Sequence, residues 1–260
     1  MTIPLFKSHY SIGKSILTLN PPKDSEDVLS PDSVFDIVSE NKLDTFVLVE
    51  DSFMGFLEAK KVSEELGVNF VFGLRFDVCN DVNDLSDKNL DRCKHKVIIF
   101  PKNSSGCKLL NKIYTESKTK YSGLLDLNVI KEFWSEKDLF LGIPFYDSFI
   151  FKNNLSFNTC VPSFSFTSPI FFIEDNGLPF DLIIKNSVQE YCTSNDFEIE
   201  QAQSIYYKNK EDFSAFLTYK LICGRNTFSG RELSLEKPNF DHLGSDEFCW
   251  ESYLEKYESA

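Results

Sequence analysis

FVLVEDSFMGFLEAKKVSEELGVNFVFGLRF, residues 46–76, changes its hydrophobic period twice. DTFVLVE (44–50) has the length and β-branching of a buried strand. After it, apolar residues fall at Phe53, Phe56, Leu57, Ala59, Val62 and Leu66. Steps of three and four place them on one helical face, and Gly67 stands where a left-handed cap closes a helix. VNFVFGLRF (68–76) then returns to strand. Strand, helix and strand in about thirty residues make the repeating unit of a parallel α/β sheet.

The alternation continues outward from this block. HKVIIFP (95–101) reads as a strand stopped by Pro101, and NSSGCKLLNKIYTES (103–117) as a helix capped by Asn103 or Ser104. DLNVIKEFW (126–134) predicts a short helix, DLFLGIPF (138–145) a strand and PIFFIED (169–175) another. DLIIKNSVQEYC (181–192) predicts a helix and FEIEQAQSIYY (197–207) a strand. Asn209, with Asp212 three residues on, caps a helix over 210–224. Residues 146–169 carry aromatics without a period, and 225–260 is a polar tail that turns helix-like only near its end. No repeat or low-complexity linker divides the chain. The expectation is a single α/β domain over 1–260 with a mainly parallel sheet.

The chain has 260 residues, 42% of them hydrophobic, including 26 phenylalanines, enough for a large aromatic core. Against 27 basic residues stand 40 acidic ones, a net charge of −13. That field repels phosphate backbones, so direct DNA binding is not expected without a local basic groove. The seven cysteines are odd in number, widely spaced and free of any CxxC pair, which fits buried thiols in a reducing compartment. Neither a signal segment nor an apolar run of about 18 residues is present. A soluble cytoplasmic protein without membrane contact is expected. GxSxG, phosphate-loop, zinc and RNP-type patterns are missing as well.

Several strings resemble, in order, the PHP (polymerase and histidinol phosphatase) domain found at the N-terminus of the bacterial DNA polymerase III α subunit. FKSHYSIGKSIL resembles that family's opening H-x-H-S-x-Y-S motif, with Ser8, Tyr10 and Ser11 in place. Residues 46–76 resemble its second block and keep Gly55, Gly67 and Gly73. KVIIFPKNSSGCKLLNKIYTES, PIFFIEDNG, IYYKNKEDFSAFLTYKLICGRNT and SDEFCW resemble later blocks. The matches run from about residue 4 to about residue 253. The resemblance implies a distorted TIM-like (β/α)7 barrel of the PHP type, its cleft at the C-terminal strand ends. Residues 225–260 would then be a C-terminal extension packed on the barrel.

Active members of that family hold metal ions with histidines and carboxylates, so the ligand positions can be compared one at a time. The opening histidines fall on Leu5 and Lys7, with His9 at a variable position between conserved-type residues. The Asp-His pair falls near Val49-Glu50, or on Glu50-Asp51 in a shorter turn. A glutamate falls on Arg75, and a strand-opening histidine on Lys96, with His95 one residue off register. Another ligand falls around Ile143-Pro144, and a closing Asp-x-His on Ser204 and Tyr206. Leu5, Lys7, Glu50, Asp51, Arg75, His95, Lys96, Ser204 and Tyr206 therefore read as vestigial cleft positions. Neither catalytic residues nor metal ligands nor a cofactor are expected.

Only Glu50, Asp51 and His95 keep ligand chemistry. Lys7 and Arg75 would repel a divalent ion by several kcal/mol at low effective dielectric and would pair with Glu50 or Asp51 instead. The residues His242 and Gly224-Arg225 match no ligand position. The expected function is thus a catalytically inactive PHP-like protein, a binding or scaffolding module in DNA replication, with a phage origin consistent with its Asn/Lys/Phe-rich composition. Its expected partner is a replication protein or polymerase core. The alternatives are a phosphoesterase or 3′–5′ exonuclease with a rebuilt metal site, and the N-terminal piece of a C-family polymerase.

Overall fold

The computed structural model describes residues 2–23, 30–83, 94–156, 160–223 and 244–257. His242, Cys93 and Gly224-Arg225 lie outside the described residues. The strands are β1 (Ile3–Phe6), β2 (Thr45–Glu50), β3 (Asn69–Cys79), β4 (His95–Pro101), β5 (Leu124–Asp126), β6 (Leu139–Ile143), β7 (Ile170–Ile173) and β8 (Glu198–Ile205). Their pairing order is β2-β1-β8-β7-β6-β4-β3, and β2 also pairs with β3, so seven strands close on themselves as a barrel. β5 adds to β3 as an eighth strand. The fold is mixed α/β with a closed barrel and helices.

Two compact units divide this order: unit 1 comprises 1–72, 175–179 and 202–260, and unit 2 comprises 73–174 and 180–201. In unit 1, β1 is parallel to both β2 and β8, with Leu5 opposite Val47 and opposite Ser204. α1 (Val34–Glu40) starts at Ser33, whose hydroxyl accepts the Phe35 N–H while Asp36 accepts the Ser33 N–H. α2 (Phe56–Leu66) ends at Gly67 with φ +69°, the left-handed cap that the sequence predicts. α7 (Phe213–Cys223) follows a 3₁₀ turn over Lys210–Asp212 that begins with the predicted Asn209–Asp212 capping box. α8 (Trp250–Tyr257) packs Trp250 on Phe6 at 5.7 Å, and Cys249 bridges to Tyr207.

In unit 2, β7 is parallel to β6 and β8, whereas β4 runs antiparallel to both β3 and β6. The chain runs one way along β3 and the opposite way along its neighbour β4. β4 therefore begins where β3 ends, with Lys96 opposite Asp77 and His95 opposite Val78. α3 (Ser104–Thr119) is capped by Asn103, whose Oδ1 accepts the Gly106 N–H at 2.9 Å. α4 (Leu127–Glu132) starts at Asp126 and α6 (Asp181–Asn195) precedes β8. α1, β5 and α5 were not read from the sequence. β5 has only three residues, too few to display a period, and α5 (Phe149–Ser156) buries Phe149, Ile150 and Phe151 in succession.

The unit 2 core is built from rings against glycines. A Cβ at Gly73 would lie 2.5 Å from the Phe100 ring, and one at Gly142 would lie 2.8 Å from Phe172 and 3.0 Å from Phe100. Phe100 stacks on Phe140 with centroids 4.4 Å apart. Large side chains can enter only because these two strand positions carry none.

Candidate functional site

The strand ends of unit 1 gather six of the residues that the sequence singles out: Leu5, Lys7, Glu50, Asp51, Ser204 and Tyr206. β1 delivers Leu5, buried, and one residue beyond the strand Lys7, only 3% exposed. Phe6, on the opposite face, stacks on Trp250, as strand alternation requires. β2 ends at Glu50, fully buried, followed by Asp51. The Lys7 ammonium lies 3.4 Å from Asp51 Oδ1.

Glu50 is held differently. One carboxylate oxygen accepts the Ser8 N–H at 2.7 Å, and the other accepts the Ser11 hydroxyl. The Ser11 oxygen in turn accepts the Asp51 N–H at 3.0 Å. Burial pushes the Glu50 carboxyl above its ordinary range, and Lys7, Ser11 and Ser8 offset only part of that push. Tyr10 donates to Glu58 at 2.6 Å, which with burial raises the phenol. Ser8 and Ser11, motif residues retained in FKSHYSIGKSIL, thus tie the first loop to the end of β2, and Tyr10 ties it to α2. His9 stacks on Tyr10 with centroids 4.3 Å apart, and its buried Nδ1 has no hydrogen-bond partner. Ser204 sits opposite Leu5, and Tyr206 stacks on Phe248 and Phe216.

Unit 2 carries a second charged strand end. Lys96 meets Asp77 at 2.8 Å across β3 and β4. Arg75 meets Asp147 at 3.3 Å, and Lys152 meets the same carboxylate at 3.1 Å. Burial alone would raise the Asp147 carboxyl, but Arg75, Lys152 and Lys96 outweigh it and hold it at about 2. Sequence reasoning missed Asp147 because it lies at the start of 146–169, the stretch without a period. Its backbone stands at φ +65°, in the left-handed region that Asp tolerates, but the sequence around it gives no turn signal strong enough to mark it.

His95 is buried, with its Nδ1 3.5 Å from Cys160 Sγ and its ring edge-on to Phe149. The Cys160 thiol also donates to Asn80 Oδ1 at 3.0 Å. The remaining nominated position, Ile143-Pro144, is apolar and buried.

These residues do not fit a divalent metal. Leu5, Ile143 and Pro144 offer no lone pair suited to one, Lys7, Arg75 and Lys96 bring positive charge, and Glu50 has both oxygens engaged by Ser8 and Ser11. Among the described residues no group of three or more His, Cys, Asp and Glu is placed to hold a metal ion. None of the described helices is long and apolar enough to cross a membrane. No family model matches the chain, and no curated protein matches it.

Proposed function

We propose that the chain is a catalytically inactive PHP-like protein that serves as a binding or scaffolding module in DNA replication. One observation carries the inactive half of this reading. At the end of β1 a buried ammonium, Lys7, pairs with Asp51, while the adjoining Glu50 is saturated by Ser8 and Ser11. A metal-assisted phosphoesterase needs carboxylates and imidazoles aimed at a shared ion, and here the carboxylates are committed to internal partners. The replication half is supported by the collinear sequence resemblance. In the related polymerases this domain braces the polymerase core and in some bacteria carries the proofreading exonuclease, so a protein partner of that kind follows.

The test has two arms. Calorimetric titration with Mn²⁺ or Zn²⁺ should give no binding heat, and p-nitrophenyl phosphate and single-stranded DNA should remain intact with Mn²⁺ present. Hydrolysis that disappears in Glu50→Gln would overturn the inactive reading in favour of a rebuilt phosphoesterase site. The second arm is a pull-down from the native host, scored for replisome subunits. Recovery of unrelated proteins alone would count against the replication setting.

A further inference from the structure

One cluster in unit 2 sets more cations than carboxylates around a single stretch of sheet. Strand alternation sends Arg75 and Asp77 to the same side of β3, and the register places Lys96 opposite Asp77. Lys96 Nζ lies 2.8 Å and Lys94 Nζ 3.9 Å from the same oxygen, Asp77 Oδ1. Asp147 divides its oxygens between Lys152, 3.1 Å from Oδ1, and Arg75, 3.3 Å from Oδ2. Four cations thus share two carboxylates. The main chain pins this frame, because the Lys96 N–H donates to the Asp147 carbonyl at 2.8 Å and the Lys152 N–H to the Ser148 carbonyl at 2.9 Å.

Asp81, two residues past β3, and Asp181, which accepts the Tyr146 hydroxyl, are further carboxylates of this region. They do not reverse its sign. Asp147 is held at about 2 in spite of its burial, so the field at its oxygens is positive. Such a field repels a metal cation, whereas the chain's net charge of −13 opposes a polyanion such as a nucleic-acid backbone. A single compact anion meets both conditions. Access is graded, since the Lys94 side chain is 50% exposed and that of Arg75 only 11%. Lysine ammoniums and an arginine fork give oxyanions charge-assisted hydrogen bonds. We propose that Arg75, Lys94, Lys96 and Lys152 form a metal-free site for one phosphate group, free or esterified. This goes beyond the scaffold reading and does not depend on it. A frame fixed by main-chain hydrogen bonds loses little freedom on binding.

The probe is inorganic phosphate, titrated calorimetrically into the full-length chain without metal, at an ionic strength held constant with sodium chloride. Saturable binding with a Kd of about 1 mM or tighter is expected. Lys94→Met and Lys152→Met change partly exposed positions and should each weaken it about tenfold. Lys112→Met, which removes the same charge from an exposed position on α3, should leave it unaltered. Asp77→Asn removes a competing carboxylate and should tighten binding, a gain that a purely structural ion-pair network does not produce. Thermal melts establish that each variant is folded, and either lysine variant decides the matter alone. Absence of saturable binding overturns the proposal, as does equal affinity in the Lys94, Lys152 and Lys112 variants or weaker binding by Asp77→Asn. Phenyl phosphate separates the two sources, both of which support the site: tighter binding than inorganic phosphate assigns it to an ester, weaker binding to the free anion. Hydrolysis of phenyl phosphate would overturn the inactive reading while supporting the site, so the two failures are distinguishable.

Discussion

At the end of β1, Lys7 places an ammonium in an almost fully buried position, beside the Asp51 carboxylate 44 residues away in the chain. Removing one member of such a pair strands the other, so Lys7→Met should cost about 1–3 kcal/mol in urea unfolding, discounted because Asp51 is 35% exposed. An unchanged midpoint would mean that the pair contributes nothing. The acidic groups give opposite pH signatures. Asp147 titrates at about 2 in the fold against an ordinary 3.8, so its contribution is full above pH 3.8 and is lost as pH falls through about 2. The stability difference between the parent and Asp147→Asn should therefore shrink on acidification over that window. Glu50 is raised, so burying its charge costs stability at neutral pH, and the cost is relieved as pH falls towards 4.5. The difference between the parent and Glu50→Gln should grow on acidification, and parallel slopes for the two variants would refute this assignment.

The elements themselves follow local rules, and their tolerances are local as well. A methyl group at Gly73 or Gly142 would strike Phe100, whose ring is pinned by Phe140, so either glycine-to-alanine change should cost about 1–3 kcal/mol by overpacking. Gly106, in the first turn of α3, is stricter, because a Cβ there would lie 2.1 Å from the Asp138 carbonyl oxygen. Backbone yields less readily than a ring, so Gly106→Ala should be the most damaging of the three in a thermal melt. Equal melting temperatures across the series would contradict this packing. Caps at Asn103 and Asn209, and the Gly67 stop, were legible because each depends on neighbours within a few residues. β5 and α5 were not, since one is too short and the other runs from three buried apolar residues into polar ones without a helical period.

For the whole molecule, the charge of −13 acts on every state of the chain. Self-repulsion is strongest in the compact form and is screened within about 10 Å at 0.1 M salt. The melting temperature should therefore rise between low salt and 0.3 M NaCl, and a fall would point to attractive ion pairs as the dominant electrostatic contribution. By itself the sequence determined most of the order of strands and helices, several of their caps and the acidic balance, because periodicity and capping act over a few residues. It also nominated Lys7 and Asp51 for one site. Only the tertiary structure decided that β4 runs antiparallel, that Asp147 receives Arg75 and Lys152, and that His95 faces Cys160. Those contacts join residues tens of positions apart, through strand registers and turns that no local pattern specifies.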